Sequence, residues 1–409
     1  MIKILHCSDL HIGSPVLFKS PEKASAMRKE IRNLISSLML YVKADGIDLL
    51  LISGDLFDNR FVTPDIARLL ISEFASAPKC QIVISPGRAD FISPDSVYKR
   101  YPFPKNVFIF DTPDLSFFEF TPSREENQKI RVYGYSYTAE SRAISALPDG
   151  FGENRRSAAA DGGTQSQSAC PAAPSADAIN VFCGQASVGI RSKTLSHLTV
   201  PQIRSSGLDY MAIGGDHNGN GVERAGKTYY GVSGCLCGHS FSDVGYKGAV
   251  LIEADKENGS LHLRARGLRL FKKRFACDSV SADGAESGED IKKIIAEHVK
   301  SKKYGEETAL KIILTGKVAP GARFDCQSCE RELSKLLFTA EIEDLTIPLS
   351  GYNPPENCLT LKDITLKRLS DIIRSGSETE RKDAAAAFRI AYDAPFERNV
   401  IDDKSVTKQ

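Results

Sequence analysis

No stretch of this 409-residue chain is apolar for long enough to cross a bilayer. Its start, Met1-Ile2-Lys3-Ile4-Leu5-His6-Cys7, has the pattern of a buried strand and not of a signal peptide. A membrane protein is therefore not expected. The chain also lacks a charge of one sign: 53 Lys and Arg against 52 Asp and Glu leave a net +1. Any surface for nucleic acid must then be a local basic patch. A disulfide frame is missing too, because the ten cysteines are scattered through apolar strands and loops. They read as reduced thiols of a cytoplasmic protein. Cys326-x-x-Cys329 has the spacing of half a zinc knuckle, but no second half follows, and Cys235 and Cys237 lie far away.

What is present suits a chain of more than one domain. Hydrophobic residues make up 42% and charged residues 26%, enough for sizeable cores at a length that predicts two or three domains. Residues 2–7 read as a strand. Apolar positions Ile31, Leu34, Ile35, Leu38 and Val42 then mark a helix over 22–44, which Gly46 stops. The continuous run 48–53 suits a strand buried on both faces. A second helix at 64–77 and a strand at 81–85 complete a βαβ series with right-handed crossovers. Further strands are expected at 106–110, 115–120 and 130–134, and again at 179–182, 209–213, 228–230 and 248–253, the last two antiparallel in a second sheet. Between 149 and 178 the composition falls to Gly, Ser, Ala, Pro, Asp and Gln, which reads as a disordered insertion. Beyond 265 the pattern turns to helix 288–300, strand 310–314, helix 328–337 and strand 341–348, then a helical tail.

Chemistry gathers beyond the carboxyl ends of strands in such sheets. There the chain writes Asp9-Leu10-His11 after the first strand, Gly54-Asp55-Leu56-Phe57-Asp58 after the second and Pro86-Gly87 after the third. Carboxylates and imidazole at neighbouring strand tips are what a divalent ion needs from a protein.

These motifs resemble those of the calcineurin-like metallophosphoesterases. Asp209-Tyr210-Met211-Ala212-Ile213-Gly214-Gly215-Asp216-His217 is similar to the family's Asp-Tyr-x-Ala-x-Gly-His-x-His. Residues 230–234 and 241–248 resemble the following segment in one branch, the nuclease subunit of a bacterial double-strand-break repair complex, which works with a coiled-coil ATPase. The resemblance implies an α/β fold: a four-layer α/β/β/α sandwich spanning 1–265, here with the insertion at 149–178. It implies an α+β capping domain over 266–355 and a helical, partner-binding tail over 356–409 with a frayed end. It implies DNA as substrate and an SMC-like coiled-coil ATPase as partner, leaving a homodimer open. Two divalent ions about 3.5–4 Å apart clamp a phosphodiester in that family.

Carried over residue by residue, the first ion's ligands fall on Asp9, His11, Asp55 as the bridge, and His217. On ligand type alone that set would hold Mn²⁺, Fe²⁺ or Zn²⁺, and Mn²⁺ is the ion expected first. The second ion's ligands do not carry over. The family's Gly-Asn-His-Asp stands here as Gly87-Arg88-Ala89-Asp90, so the amide ligand is Arg88 and the catalytic histidine is Ala89. The next histidine position is Gln185, and the first histidine of Gly-His-x-His is Gly215. One divalent ion is thus expected, with Arg88 as a phosphate-binding or substitute charge in the second half. Losing general acid–base help costs roughly 10²–10⁴ in rate, so phosphate binding should outlast hydrolysis. The alternative is a non-catalytic scaffold that binds DNA or phosphate for the ATPase.

Asp58 and Asp90 read as turn-stabilising carboxylates, and His6 as a packed residue. His239 and Asp216 are candidate replacement ligands. His197, His262 and His298 read as surface residues, and Lys362, Lys367, Arg368 and Arg374 as a solvated helix face or a docking surface.

Overall fold

The computed structural model describes residues 1–139, 145–148, 150–152, 173–189, 192, 194–257, 260–319, 322–348 and 360–393. They form two compact units, Met1–Phe275 and Ala276–Gln409.

The first unit runs β1 (Ile2–Cys7), α1 (Pro21–Asp45), β2 (Leu49–Ile52), α2 (Pro64–Ala75), β3 (Gln81–Ile84), α3 (Val97–Arg100), β4 (Val107–Ile109), β5 (Ser116–Phe120) and β6 (Lys129–Gly134). It continues with β7 (Ala178–Gln185), β8 (Ser187–Val188), β9 (His197–Leu198), α4 (Val200–Ser205), β10 (Tyr210–Gly214), β11 (Gly221–Ala225), β12 (Thr228–Val232), β13 (Ala249–Glu257) and β14 (Ser260–Leu268). Helix α1 starts where the Ser20 hydroxyl accepts from the Lys23 N–H and Pro21 presets the first turn. It ends at Gly46, whose φ of 65° closes the last turn as only glycine does without penalty. Its buried stripe includes the apolar positions that predicted it.

One six-stranded sheet has the order β14-β13-β1-β2-β3-β4, the other β11-β12-β10-β7-β6-β5. Their facing sides share a core: Ile4, Leu51, Val83 and Ile252 meet Val132, Val181 and Ala212. On the far side of the second sheet, Phe182, Met211 and Ile213 pack with Ile203 of α4, Leu208 and Phe151. This is the expected mixed α/β sandwich. One strand lies elsewhere than predicted. The run at 248–253 does not join the second sheet; β13 pairs antiparallel with β1 of the first, Ile4 opposite Ile252. Its inward residues fill the same core from either sheet, so apolar pattern alone does not choose between them. Strand β14 then pairs with β13 as far as Leu268, which carries the first unit past residue 265.

Of the segment 149–178, residues 149 and 153–172 lie outside the described residues. Its two described ends are anchored, with Phe151 buried and β7 beginning at Ala178.

The second unit contains β15 (Arg274–Ser281, entered from the first), α5 (Gly288–Ser301), β16 (Thr308–Thr315), β17 (Lys317–Val318), α6 (Cys326–Leu333), β18 (Thr339–Asp344), β19 (Ile347–Pro348), α7 (Leu361–Ser375) and α8 (Glu378–Asp393). Strands β15-β16-β18 form its sheet. Ile291, Ile295 and Val299 of α5 pack on Leu310, Ile312 and Ile342. Cys326 and Cys329 sit one turn apart in α6 with Cys329 in that core, and neither joins a converging ligand set among the described residues. The tail helices α7 and α8 pair as a hairpin, tied by Lys362 Nζ donating to the Tyr392 carbonyl at 2.9 Å. The expected frayed end, 394–409, lies outside the described residues.

Candidate metal centre

The strands β1, β2 and β3 run parallel in one sheet and β7, β10 and β12 in the other, so each sheet gathers its carboxyl ends on one edge, and the two edges meet. Gly214 shows how close they come: a Cβ there would lie 2.0 Å from the Ser53 carbonyl oxygen and 2.8 Å from the Ser8 side chain. Only glycine allows this backbone-to-backbone approach, and it sets the β10 end, with His217 just beyond, against Asp9 and Asp55.

The loops after β1 and β2 are laced together. The Asp9, His11 and Ile12 amides donate to the Gly54, Asp55 and Leu56 carbonyls at 3.0, 2.9 and 3.0 Å. Asp9, His11 and Asp55 hold φ of 51°, 44° and 53°, the left-handed region; Lys303 is the remaining described non-glycine residue with positive φ. Such backbone costs of order 1–3 kcal/mol per residue and persists where surrounding structure enforces it. Asp90 helps enforce it. Fully buried, it accepts from the Gly87, Leu56 and Asp55 amides at 2.6, 2.9 and 3.1 Å and from Tyr98 Oη at 2.6 Å. Burial, with the Asp55 charge behind it, pushes Asp90 up to about 7. Asp58 instead braces its own turn, accepting from the Arg60 amide and guanidinium.

One ligand atom each from Asp9, His11 and His217 lies within 4.8 Å of the others. Asp55 Oδ2 is 3.8 Å from His11 Nε2. The resemblance's first-ion residues are therefore together. His11 Nε2 and His217 Nε2 face each other at 3.3 Å. Asp243 sets the His217 tautomer: its Oδ1 lies 2.9 Å from His217 Nδ1. A carboxylate only accepts, so Nδ1 carries the proton and Nε2 turns its lone pair into the site. That hydrogen bond raises the His217 pKa. Burial opposes ionisation of Asp243, yet the His217 bond and the His239 and Ser240 amides hold it well below the usual carboxylate range. Asp243 lies 26 residues from His217, and no local spacing announces it. Asp243→Asn is expected to weaken ion binding about 10–100-fold, measured by titration calorimetry. One Asp243 oxygen serves His217 and the other takes two backbone N–H donors, and an amide cannot satisfy both.

The other half holds no converging ligands among the described residues. Gln185 fills it. Its Nε2 donates to Asp9 Oδ1 at 3.2 Å, and its Oε1 accepts the Arg88 amide at 3.1 Å. The side chain passes between Gly54 and Gly87, where an added Cβ would lie 2.4 Å from Gln185 Cγ and 2.5 Å from its Cδ. A buried carboxamide thus presents its N–H edge to the carboxylate. Arg88 departs from expectation. Its guanidinium is exposed and donates from Nη1 to the Thr194 carbonyl at 2.6 Å, because Gln185 already occupies the inner space. Arg88 is a rim charge and not a substitute ion. Ala89 contributes only its amide, donating to Asp55 Oδ1 at 2.7 Å. Gly215, with φ of 97°, gives its amide to Asp9 Oδ2 at 2.9 Å.

His239 stands at the edge of the centre, its ring 5.7 Å from that of His11. Both its ring nitrogens are buried without a hydrogen-bond partner, and burial lowers its pKa to about 4. It does not join the Asp9–His11–His217 set. Asp216 is exposed and caps its own turn through the Asn218 amide. His6 is packed between Tyr210 Oη and Ser53 Oγ, each at 2.9 Å.

The calcineurin-like phosphoesterase family model matches residues 2–242, over half of the chain. The chain belongs to this family. No curated protein matches it. Among solved structures, this phosphoesterase is similar to TT1561 of Thermus thermophilus at 14% identity and a TM-score of 0.35, covering 64% of this chain and 98% of that one. Calcineurin-like phosphoesterases generally bind divalent metals, and the donor set here fits such an ion. Two adjacent buried carboxylates and two facing imidazoles are donors of the kind such an ion takes. Burial, reinforced by the Asp55 charge, pushes Asp9 up to about 6. Protons and the ion compete for that carboxylate. Above pH 6 Asp9 is ionised and available, whereas below it binding must displace a proton. The rise in melting temperature on adding Mn²⁺ should be full at pH 7.5. It should shrink as pH falls through 6, affinity dropping about tenfold per pH unit per proton displaced.

Proposed function

We propose that this phosphoesterase binds nucleic-acid phosphodiesters at a single divalent ion and hydrolyses them slowly, as a DNA-repair exonuclease subunit reduced to one ion. Asp9, His11, Asp55 and His217 would hold the ion, Mn²⁺ in preference to Fe²⁺ or Zn²⁺, which supplies Lewis acidity and a lowered water pKa. The observation that carries the reading is Gln185, whose carboxamide is hydrogen-bonded to Asp9 in the space a second ion's ligand would need. A carboxamide orients the carboxylate but neither activates water nor protonates a leaving alkoxide. Arg88, exposed at the rim, adds a charge that can meet a phosphate oxygen.

A cytoplasmic setting belongs to the same proposal, supported by Cys7, Cys183, Cys235 and Cys237 buried as free thiols. So does a coiled-coil ATPase partner, supported by Leu361, Ile364 and Ile390 standing exposed on the α7–α8 hairpin. A second reading, a non-catalytic scaffold for that ATPase, is favoured by Ala89 standing where the family places its histidine. Labelled single- and double-stranded DNA incubated with the Mn²⁺-loaded protein, beside Asp55→Asn, separates the two. Slow cleavage lost in the variant supports the first; no cleavage, or cleavage equal in both, leaves only the scaffold.

A further inference from the structure

Residues 261–274 contain Arg264, Arg266, Arg269, Lys272, Lys273 and Arg274 and no carboxylate, within a chain whose cations and carboxylates balance only as a whole. Some of this charge is answered. Arg264 lies opposite Glu253 in the ladder, and Lys273 Nζ is 3.1 Å from Glu30 Oε1. Arg266, Arg269 and Lys272 are exposed. The Arg269 and Arg274 guanidinium carbons lie over the Tyr246 ring, 3.9 and 4.7 Å from its centre. Stacking fixes the plane of the exposed Arg269 guanidinium and leaves its edge N–H groups for a phosphate.

The surroundings are apolar and open. Tyr246 is 44% exposed, Val244 46% and Leu17 81%. They gather around Phe275: the Phe18 ring stacks on it at 5.6 Å, and the Gly245 amide donates to its carbonyl at 2.8 Å. The loop that carries Tyr246 also builds the metal centre. Asp243 holds His217, and Lys247 Nζ donates to the His217 carbonyl at 3.0 Å. Tyr246 follows Asp243 by three residues, a chain reach of about 10 Å at most.

We infer that the surface formed by Leu17, Val244, Tyr246, Arg269 and Lys272 binds a single-stranded nucleic acid and delivers its backbone to the metal centre. This rests on the proposed function for its substrate, and it adds where and in what form the substrate arrives. Arginines alone would serve a duplex as well. Exposed apolar side chains beside them need unpaired bases, because every base has a face to lay on them and a duplex hides those faces.

The test uses the full chain with Mn²⁺ and a fluorescein-labelled oligothymidylate, read by anisotropy across a salt series. Arg269→Ser/Lys272→Ser is expected to bind at least about 10-fold more weakly at moderate salt. Its log–log salt slope should be shallower by about 1.4, from two lost phosphate contacts on a single strand. Lys79→Ser/Arg124→Ser, which removes exposed cations elsewhere, should match wild type. If the double variant melts lower than wild type, Arg269→Ser and Lys272→Ser carry the test singly. Unchanged affinity in these variants, no binding by wild type, or a duplex bound as tightly as the single strand overturns the inference. Turnover of bis(p-nitrophenyl) phosphate should survive Arg269→Ser/Lys272→Ser and vanish in Asp55→Asn, whereas oligonucleotide binding should do the reverse. Binding without any turnover would therefore count against hydrolysis and still support this surface.

Discussion

Asp55→Asn should empty the metal centre and abolish turnover while making the metal-free protein more stable at neutral pH. The two effects share a cause. Asp55 is buried beside Asp9, and that burial raises its pKa. A carboxylate with a raised folded pKa stabilises the fold only while protonated. Its penalty sets in as pH climbs above the unfolded value and is complete above the folded one. Asparagine carries no charge and escapes the penalty. It also fits the backbone, since it tolerates the left-handed φ of 53° at this position and its Oδ1 can keep the Ala89 amide. Ion affinity should fall by more than the roughly 10–100-fold typical of an outer-sphere change, because a ligand charge is lost. Thermal melts with and without Mn²⁺ check this. The metal-free variant should melt above wild type at pH 7.5, with the difference vanishing near pH 3, and Mn²⁺ should no longer shift it. A variant that still gains stability from Mn²⁺ would remove Asp55 from the ligand set.

The second large effect runs in the opposite direction. Arg88→Asn/Ala89→His/Gln185→His should raise the ion content from one toward two and speed phosphodiester hydrolysis by about 10²–10⁴, the range that general acid–base help supplies. Each change has a stated task. Removing Gln185 frees the space between Gly54 and Gly87, and histidine there offers a ligand nitrogen. Asparagine at 88 adds an amide oxygen and withdraws the rim charge. Histidine at 89 returns a proton donor. Gly215 is left alone, since its φ of 97° would strain any side chain and its amide supports Asp9. Two measurements decide it: manganese per chain after gel filtration, and turnover of bis(p-nitrophenyl) phosphate. Turnover that rises without a second ion would assign the gain to the new histidine at 89 alone.

Much of this is legible in the chain. Asp9, His11 and Asp55 stand directly after apolar runs, so strand-end placement alone puts them near one another. His217 is legible only through its motif, because β10 belongs to the other sheet and no local rule says that the two sheets' strand ends converge. The close approach at Gly214 is what brings them together. Asp243 is not legible, since its role depends on a loop folding back across the site. Gln185 is legible as a departure but not as an occupant. The motif suggests the cation Arg88 for that space, whereas the smaller neutral side chain fills it and the guanidinium goes to Thr194. Pattern places strand β13 in the wrong sheet because its alternation specifies a buried face and not a neighbour. The first unit also runs on past residue 265, because β14 still pairs with β13 and β14 is too polar to stand out as a core strand.

A single ion is proposed here, since Gln185 fills the half where a second ion's ligands would stand. Counting bound metal tests it most directly: the full chain, equilibrated with Mn²⁺ at pH 7.5, freed of loosely held ions and analysed by elemental mass spectrometry. One ion per chain, falling toward none in Asp55→Asn, is the predicted result. Two ions per chain in the wild type, with the exchange-coupled paramagnetic signal of a manganese pair, would contradict it.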